Sequence, residues 1–471
     1  MSDHHTLRLR RAFARAGIDL RYDRGVYRVR DDSADATILL PPSLVLEEKA
    51  VRQLLAFAAV RTPQGERGVC AACATPDFHP GAIAPVGAIV ATEPDMVIPA
   101  AIGTDINCGM RLLSTGLSLA QVAPHKEALL ARLSAVLLQN ERNVPVHTRA
   151  FKALFDDGPL AFIDELRGHR DGLWAQVDTD RLADEVGRCI GLADFTAHSR
   201  HAPESFVQGR ETLRDPCLGT PGSGNHFVEL QVIDEVLDRH AAFAAGLRRD
   251  EVVVMIHSGS RDLGFHVGGR WMDRARDAWP KGVRHPESKL YALAGPLAAD
   301  YLEAMGVAAR YAWANRLVLA EMVRQELARL FGTEQTRLVV DVPHNVVLRE
   351  HGMNIHRKGA TPARAGDLAL IPGSMGDASF VVRGLGHPDW LWSCSHGAGR
   401  RMRRQEARAL LSTPATGPSP TTWQCVTLRE ERRIEEAPEA YKPIGPVIEA
   451  QEEAGLIDGV ARLRPWVTFK A

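Results

Sequence analysis

A carboxylate and a thiol three residues apart, Asp105 and Cys108, lie between glycines in the segment GTDINCGM. Presented from one glycine-flanked loop, the two can reach a common metal centre. Alone, the pair is read more simply as an Asx-turn beside a buried cysteine, since free cysteine is among the most buried residue types. Three histidines change that balance. His226 in PGSGNHFVEL, His257 in VVVMIHSGSR and His344 in VVDVPHNVV each adjoin an apolar, strand-like run and sit among Gly, Ser, Asn or Pro. Imidazoles at the ends of rigid strands are well-positioned ligands, although a single one is more often a hydrogen-bonded structural residue. Five candidate ligands exceed what a closed four-coordinate zinc site needs. They suit two ions sharing a bridging group, as in phosphoryl-transfer sites with metals roughly 3.5–4 Å apart. A thiolate among imidazoles favours zinc over manganese on ligand chemistry alone, so the residues leave the metal open.

A fourth histidine has a different setting. SCSHGAGRRMRR places His396 before Gly-Ala-Gly and then Arg400, Arg401, Arg403 and Arg404. Glycines let backbone N–H groups approach a phosphate, and the arginines could hold polyphosphate or RNA. A histidine nucleophile attacking phosphorus needs such a setting, and so does a plain turn histidine before an exposed basic helix start. IPGSMGDAS, residues 371–379, is a small-residue loop that could wrap a nucleotide or form an ordinary tight turn. Cys70 and Cys73 form a CxxC with no second pair to complete a zinc site, and read as structural thiols. The usual nucleotide signatures are missing: no GxxxxGK[ST] loop, no GxGxxG opening a helix after a strand, and no KxDG.

The elements that must position these residues follow from the chain at large. It has 471 residues, 45% of them hydrophobic, and a formal net charge of −1. That composition supports a well-buried globular protein and argues against one that coats nucleic acid through its overall field. The amino terminus has no apolar run of signal-peptide length, and no segment approaches the roughly 18 apolar residues that span a bilayer. Seven scattered cysteines with no secretion signal predict a cytoplasmic chain with free thiols. Leu46 to Val60 has apolar residues at helical spacing, Cys70 to Leu113 reads as loops joining short strands, and Ala123 to Glu204 is mainly helical. Strands return at FVEL, EVVVMIH and LVVDVPHNVV, with two amphipathic helices predicted between the last two. TPATGPSPTT, residues 413–422, reads as a flexible insertion. The irregular order of strands and helices predicts an α+β fold. Candidate residues from Asp77 to Lys470 favour one large domain, with residues 1–60 as an N-terminal segment packing on a catalytic domain of 61–471.

In this order the segments PDFHPG, GTDINCGM, LGTPGSGNHFVEL, HSGSRDLG, ARYAWANR, PHNVV, RKGAT, PGSMGDAS, SHGAGR and AYKPI to FKA resemble the RtcB family of RNA-splicing and RNA-repair ligases. The resemblance implies a single domain with antiparallel sheets surrounded by helices. It implies two Mn²⁺ ions held by Asp105, Cys108, His226, His257 and His344, with Cys108 bridging. His396 would attack the α-phosphorus of GTP to give a histidine–GMP intermediate, which a neutral imidazole with a pKa near 6.5 can do. GMP would pass to an RNA 3′-phosphate, itself formed where needed by opening a 2′,3′-cyclic phosphate, and a 5′-hydroxyl would displace it. Guanylate contacts would fall on Asn225, Glu229, Asn345, Pro372, Gly373, Ser374, Met375, Ser379, Ala398, Gly399 and Lys470, and an RNA phosphate on Arg261. The implied partners are GTP and RNA bearing those ends, with an activating protein left open and no membrane. Departures such as the Lys470–Ala471 terminus suggest a divergent paralogue. Two other functions use the same residues: a two-metal phosphoesterase in which His396 only binds phosphate, and a non-catalytic RNA-end-binding protein.

Overall fold

The β-branched runs of this chain pair into two large sheets that share one turn. The computed structural model describes residues 3–209, 211–333, 335–411 and 423–471, so the insertion expected at 413–422 lies outside the described residues. The first sheet has seven strands, in the order Asp19–Asp23, Val26–Arg30, Asp35–Leu39, Val69–His79, Val86–Thr92, Met353–Lys358 and Asn345–Glu350. All its pairings are antiparallel except Asp35–Leu39 with Val69–His79. The second sheet runs Arg337–Pro343, Gly109–Ser118, Glu251–Ser258, Phe227–Val236, Ile457–Lys470, Ser379–Gly384 and Leu368–Ile371, with Gln424–Thr427 lying parallel on Ile457–Lys470. One residue, His344, separates Arg337–Pro343 at the edge of the second sheet from Asn345–Glu350 at the edge of the first.

The mixed architecture is the α+β fold that the sequence predicts. The first sixty residues supply three strands of the seven-stranded sheet and the helix Glu48–Ala58, which buries Val51, Leu54, Leu55 and Phe57 against it. Residues 123–204 form a succession of helices, among them Lys126–Leu137, Thr148–Asp156 and Pro159–Arg167. Two expectations need correction. Between Cys70 and Leu113 the strands are long: Val69–His79 has 11 residues and Gly109–Ser118 has 10. The proline in ATPDF does not end the first of them. It lies where the ladder with Val86–Thr92 loses register, between Ala74 and His79, so no ladder hydrogen bond is asked of its nitrogen.

The second correction concerns the two amphipathic helices. They are one helix, Pro296–Phe331, of 36 residues. Its middle is buried on every face, which hides the one-sided pattern of a surface helix. Gly306 is a contact point: a Cβ there would lie 1.9 Å from the Thr196 carbonyl oxygen. This helix and the eight-stranded sheet share one hydrophobic core, and the seven-stranded sheet has another. No helix among the described residues is long and apolar enough to cross a membrane.

Candidate active site

The register of the eight-stranded sheet brings the ligand candidates together. Gly109 pairs with Ser258 on one side and Pro343 on the other, and His257 pairs with Phe227. Cys108, His257, His226 and His344 therefore sit at the same end of four neighbouring strands. The loop before Gly109 is tied down by two main-chain bonds, Asn107 N–H to Asn345 O at 2.7 Å and His344 N–H to Cys108 O at 2.8 Å. Asn107 is left-handed, with φ 53°, a backbone region that asparagine tolerates better than most residues. Its side chain donates to Ala309 O at 2.7 Å. Gly259 makes room for the carboxylate, since a Cβ there would lie 2.0 Å from Asp105 Oδ1.

The donor atoms face one another. Cys108 Sγ lies 3.1 Å from His226 Nε2 and 3.2 Å from His257 Nε2. His257 Nε2 is 3.1 Å from His344 Nε2, and His226 Nε2 is 3.0 Å from Asp105 Oδ2. Two imidazole nitrogens in contact can share at most one proton between them, and the lone pairs of this set converge with few protons to satisfy them. A cation resolves that arrangement. Burial, reinforced by neighbouring imidazoles, pushes His257 and His344 well below the usual histidine range, so both are neutral and able to ligate. Burial raises the Asp105 pKa, but the charge and hydrogen bond of His226 outweigh it and hold the carboxylate ionised. Burial and the adjacent Asp105 push the Cys108 thiol well up, and a bound metal ion would reverse that by deprotonating it. The residues fit one or more divalent ions.

His396 ends the short strand Ser393–Ser395 and lies beside this cluster, its ring 4.9 Å from that of His344. Its Nδ1–H donates to Asp77 Oδ2 at 2.6 Å, and its main-chain N–H points at the same oxygen at 3.3 Å. Thr75 Oγ1 donates to the other carboxylate oxygen at 2.7 Å. Burial works against the Asp77 charge, yet the bond and charge of His396 hold this carboxyl below its usual range. A proton fixed on Nδ1 leaves Nε2 with its lone pair free, the tautomer a nucleophile needs. Gly399, with φ 75°, permits the close approach: a Cβ there would lie 2.4 Å from Asp77 O.

Both groups open on one cavity of about 530 Å³. Asp105, Cys108, His257, His344 and His396 line it, and so do Asn225, Glu229, Asn345, Pro372, Gly373, Ser374, Met375, Ala398, Gly399 and Lys470. Three expected residues are not on its wall. His226 touches Cys108 Sγ at 3.1 Å without lining the cavity itself. Ser379 Oγ accepts from Gln231 Nε2 at 2.9 Å and Gly373 N at 3.3 Å, so it shapes the PGSMG loop from behind. Arg261 donates to Thr220 Oγ1 at 3.1 Å and packs beside Gly222. Glu229 is buried, accepts from Thr468 and Gln231, and has its pKa pushed up to about 7 by burial.

A family model described as tRNA-splicing ligase RtcB matches residues 58–471. The chain belongs to the RtcB family. It is 35% identical to the "RNA-splicing ligase RtcB" of Mycobacterium tuberculosis over 432 residues, covering 84% of this chain and 96% of that one. It is 33% identical to the "tRNA-splicing ligase RtcB" of Thermococcus kodakarensis over 431 residues, covering 83% and 85%. With the protein of the same description from Aeropyrum pernix it shares 31% over 499 residues, covering 94% and 98%.

Several residues that support this RtcB site carry no signal of their role in the sequence. Asp77 is the chief one, counted among the candidate residues but given no role by its neighbours in PDFHPG. ARYAWANR is another case. Asn315 on the long helix accepts from Gly219 N at 2.7 Å and donates to Ser258 Oγ at 2.9 Å and Gly259 O at 3.2 Å. Arg316, fully buried, donates to Asn107 O at 2.8 Å and Ser258 O at 3.0 Å, and pairs with Asp341 at 2.7 Å. One helix thus holds the loops that carry Cys108, His226 and His257. The basic cluster divides. Arg400 and Arg404 line the cavity but are each held by the buried Glu436, at 3.0 and 2.9 Å, while Arg401 turns to Glu439 O at 2.7 Å. Two of the four arginines therefore face the cavity.

Proposed function

We propose that this chain is a GTP- and manganese-dependent RNA ligase that joins a 3′-phosphate or 2′,3′-cyclic phosphate end to a 5′-hydroxyl. The observation that carries this reading is His396, with Nδ1 locked by Asp77, beside five converging ligand candidates, four of which line the same cavity. Asp105, Cys108, His226, His257 and His344 would hold two Mn²⁺ ions, which supply positive charge next to the reacting phosphates. His396 Nε2 attacks the α-phosphorus of GTP: a P–N bond forms, the bond to the β-phosphate oxygen breaks, and pyrophosphate leaves. The Asp77 carboxylate stabilises the positive charge that the ring acquires as it attacks. GMP then passes to the RNA 3′-phosphate, and the 5′-hydroxyl displaces it to form the phosphodiester. Glu229, Lys470 and the PGSMG and HGAG loops line the same cavity and would contact the guanylate. Arg261, packed beside Gly222 in the loop before His226, would bind an RNA phosphate.

The test is labelled GTP with Mn²⁺, followed by denaturing electrophoresis. A covalent GMP should appear that is labile in acid and stable in alkali, as a phosphoramidate is. His396→Ala should lose it while keeping its metal. RNA with a 3′-phosphate and a 5′-hydroxyl should be joined, and RNA with a 3′-hydroxyl and a 5′-phosphate should not. Metal-dependent phosphate release with no adduct would replace this reading by a phosphoesterase.

A further inference from the structure

AYKPI, residues 440–444, belongs to the matched C-terminal region, yet nothing in the chemistry above uses it. Its lysine is almost wholly buried, with 6% of its surface exposed. A lysine ammonium has three hydrogens to donate and no acceptor capacity, so burying one demands oxygen partners. Lys442 Nζ finds them on both sides of Asp77: it donates to Phe78 O at 2.6 Å and to Pro76 O at 3.3 Å. These carbonyls fall in the stretch where the ladder with Val86–Thr92 is out of register. The main-chain N–H of Lys442 goes to the other half of the pair, donating to Gly399 O at 3.0 Å in the loop after His396. Two residues on, Ile444 N–H donates to Asp377 Oδ2 at 2.9 Å, which ties in the PGSMG loop. Further along the same segment, Gln451 Oε1 accepts from Ser395 N at 2.7 Å, just before His396.

We propose that Lys442 is a positioning residue for the nucleophile, clamping the backbone around Asp77 and the loop after His396 so that the Asp77–His396 hydrogen bond is held in one geometry. The proposal rests on reading His396 as the nucleophile. Lys442 does not line the cavity, so it acts through Asp77 and not on a substrate. Burial pushes its pKa down to about 8, against the pull of the Asp77 and Glu47 carboxylates. A group kept in so unfavourable a place needs a compensating contact, and the two carbonyls provide it.

The experiment uses the full chain with Mn²⁺ and GTP. Lys442→Met should slow His396 labelling on the order of 100-fold, the scale of a misplacement of roughly 1 Å. Its KM for GTP and its metal content should stay at the wild-type values. Lys442→Arg, which keeps the donors, should recover part of the rate. In the Asp77→Asn background Lys442→Met should cost nothing more, because residues acting through one bond are not additive. Proton NMR of the metal-free chain should show the strongly hydrogen-bonded Nδ1–H of His396 far downfield in the wild type, lost in Lys442→Met and present in Lys442→Arg. A wild-type labelling rate in Lys442→Met, additive losses in the double variant, or a change confined to KM would each overturn the clamp. If Lys442→Met does not fold, Lys442→Gln and Lys442→Arg carry the NMR comparison. Absence of any adduct in the wild type would refute the nucleophile reading, and the NMR signal would still decide whether Lys442 holds the pair.

Discussion

The ligand cluster and the pocket around His396 share one cavity but are built in opposite ways. The cluster hangs from the ends of four neighbouring strands, so its spacing is that of the sheet, about 4.8 Å from strand to strand. The pocket around His396 is assembled from loops between residues 372 and 442 that reach the first sheet through a few buried polar contacts, His396 to Asp77 and Lys442 to Pro76 and Phe78. A ladder spreads the loss of one contact over many bonds, whereas a buried polar contact with one partner has no substitute. The metal ligands should therefore tolerate changes around them and fail only when a ligand itself is lost. His396, as the proposed nucleophile, should be sensitive to residues that never touch substrate.

Three measurements break or sharpen this contrast. The largest effect belongs to Cys108→Ala, because the only sulfur in the cluster contacts two of the imidazoles. It should abolish GMP adduct formation and lower the bound metal seen by elemental analysis, while the downfield Nδ1–H of His396 persists. Full metal content and activity in this variant would end the proposed cluster. Asp77→Asn should come next, slowing adduct formation on the order of 10²-fold or more by releasing the ring from its tautomer and orientation. Its metal content should equal that of the wild type, and a loss of metal would show that the two halves of the site are one unit.

The smallest effect is one of pH on stability. Glu229 has its pKa raised from 4.5 to about 7 by burial, so between those values the folded chain holds a proton that the unfolded chain has lost. Unliganded protein should lose stability as pH rises through this window. Glu229→Gln should remove that part of the slope in thermal unfolding followed at pH 5, 6 and 7. An identical slope in the variant would mean that Glu229 is ionised throughout.

Much of this site was legible in the sequence, because residue types and their immediate neighbours carry its chemistry. Imidazoles that close apolar runs, a thiol between glycines, and a histidine before Gly-Ala-Gly are singled out by type and setting, and the motifs in series name the family. What the sequence alone did not disclose was pairing. Asp77 and His396 are 319 positions apart, and Arg316 meets Asn107 across 209. Nothing local to either residue says which way its side chain will point, because that depends on sheet register and on how the long helix lies across the strand ends. The arginines after His396 show the same limit: as residues all four were alike, and only packing against Glu436 set two of them on the cavity wall. Local chemistry is written residue by residue, but orientation comes from contacts between distant segments, and those exist only once the sheets have closed on each other.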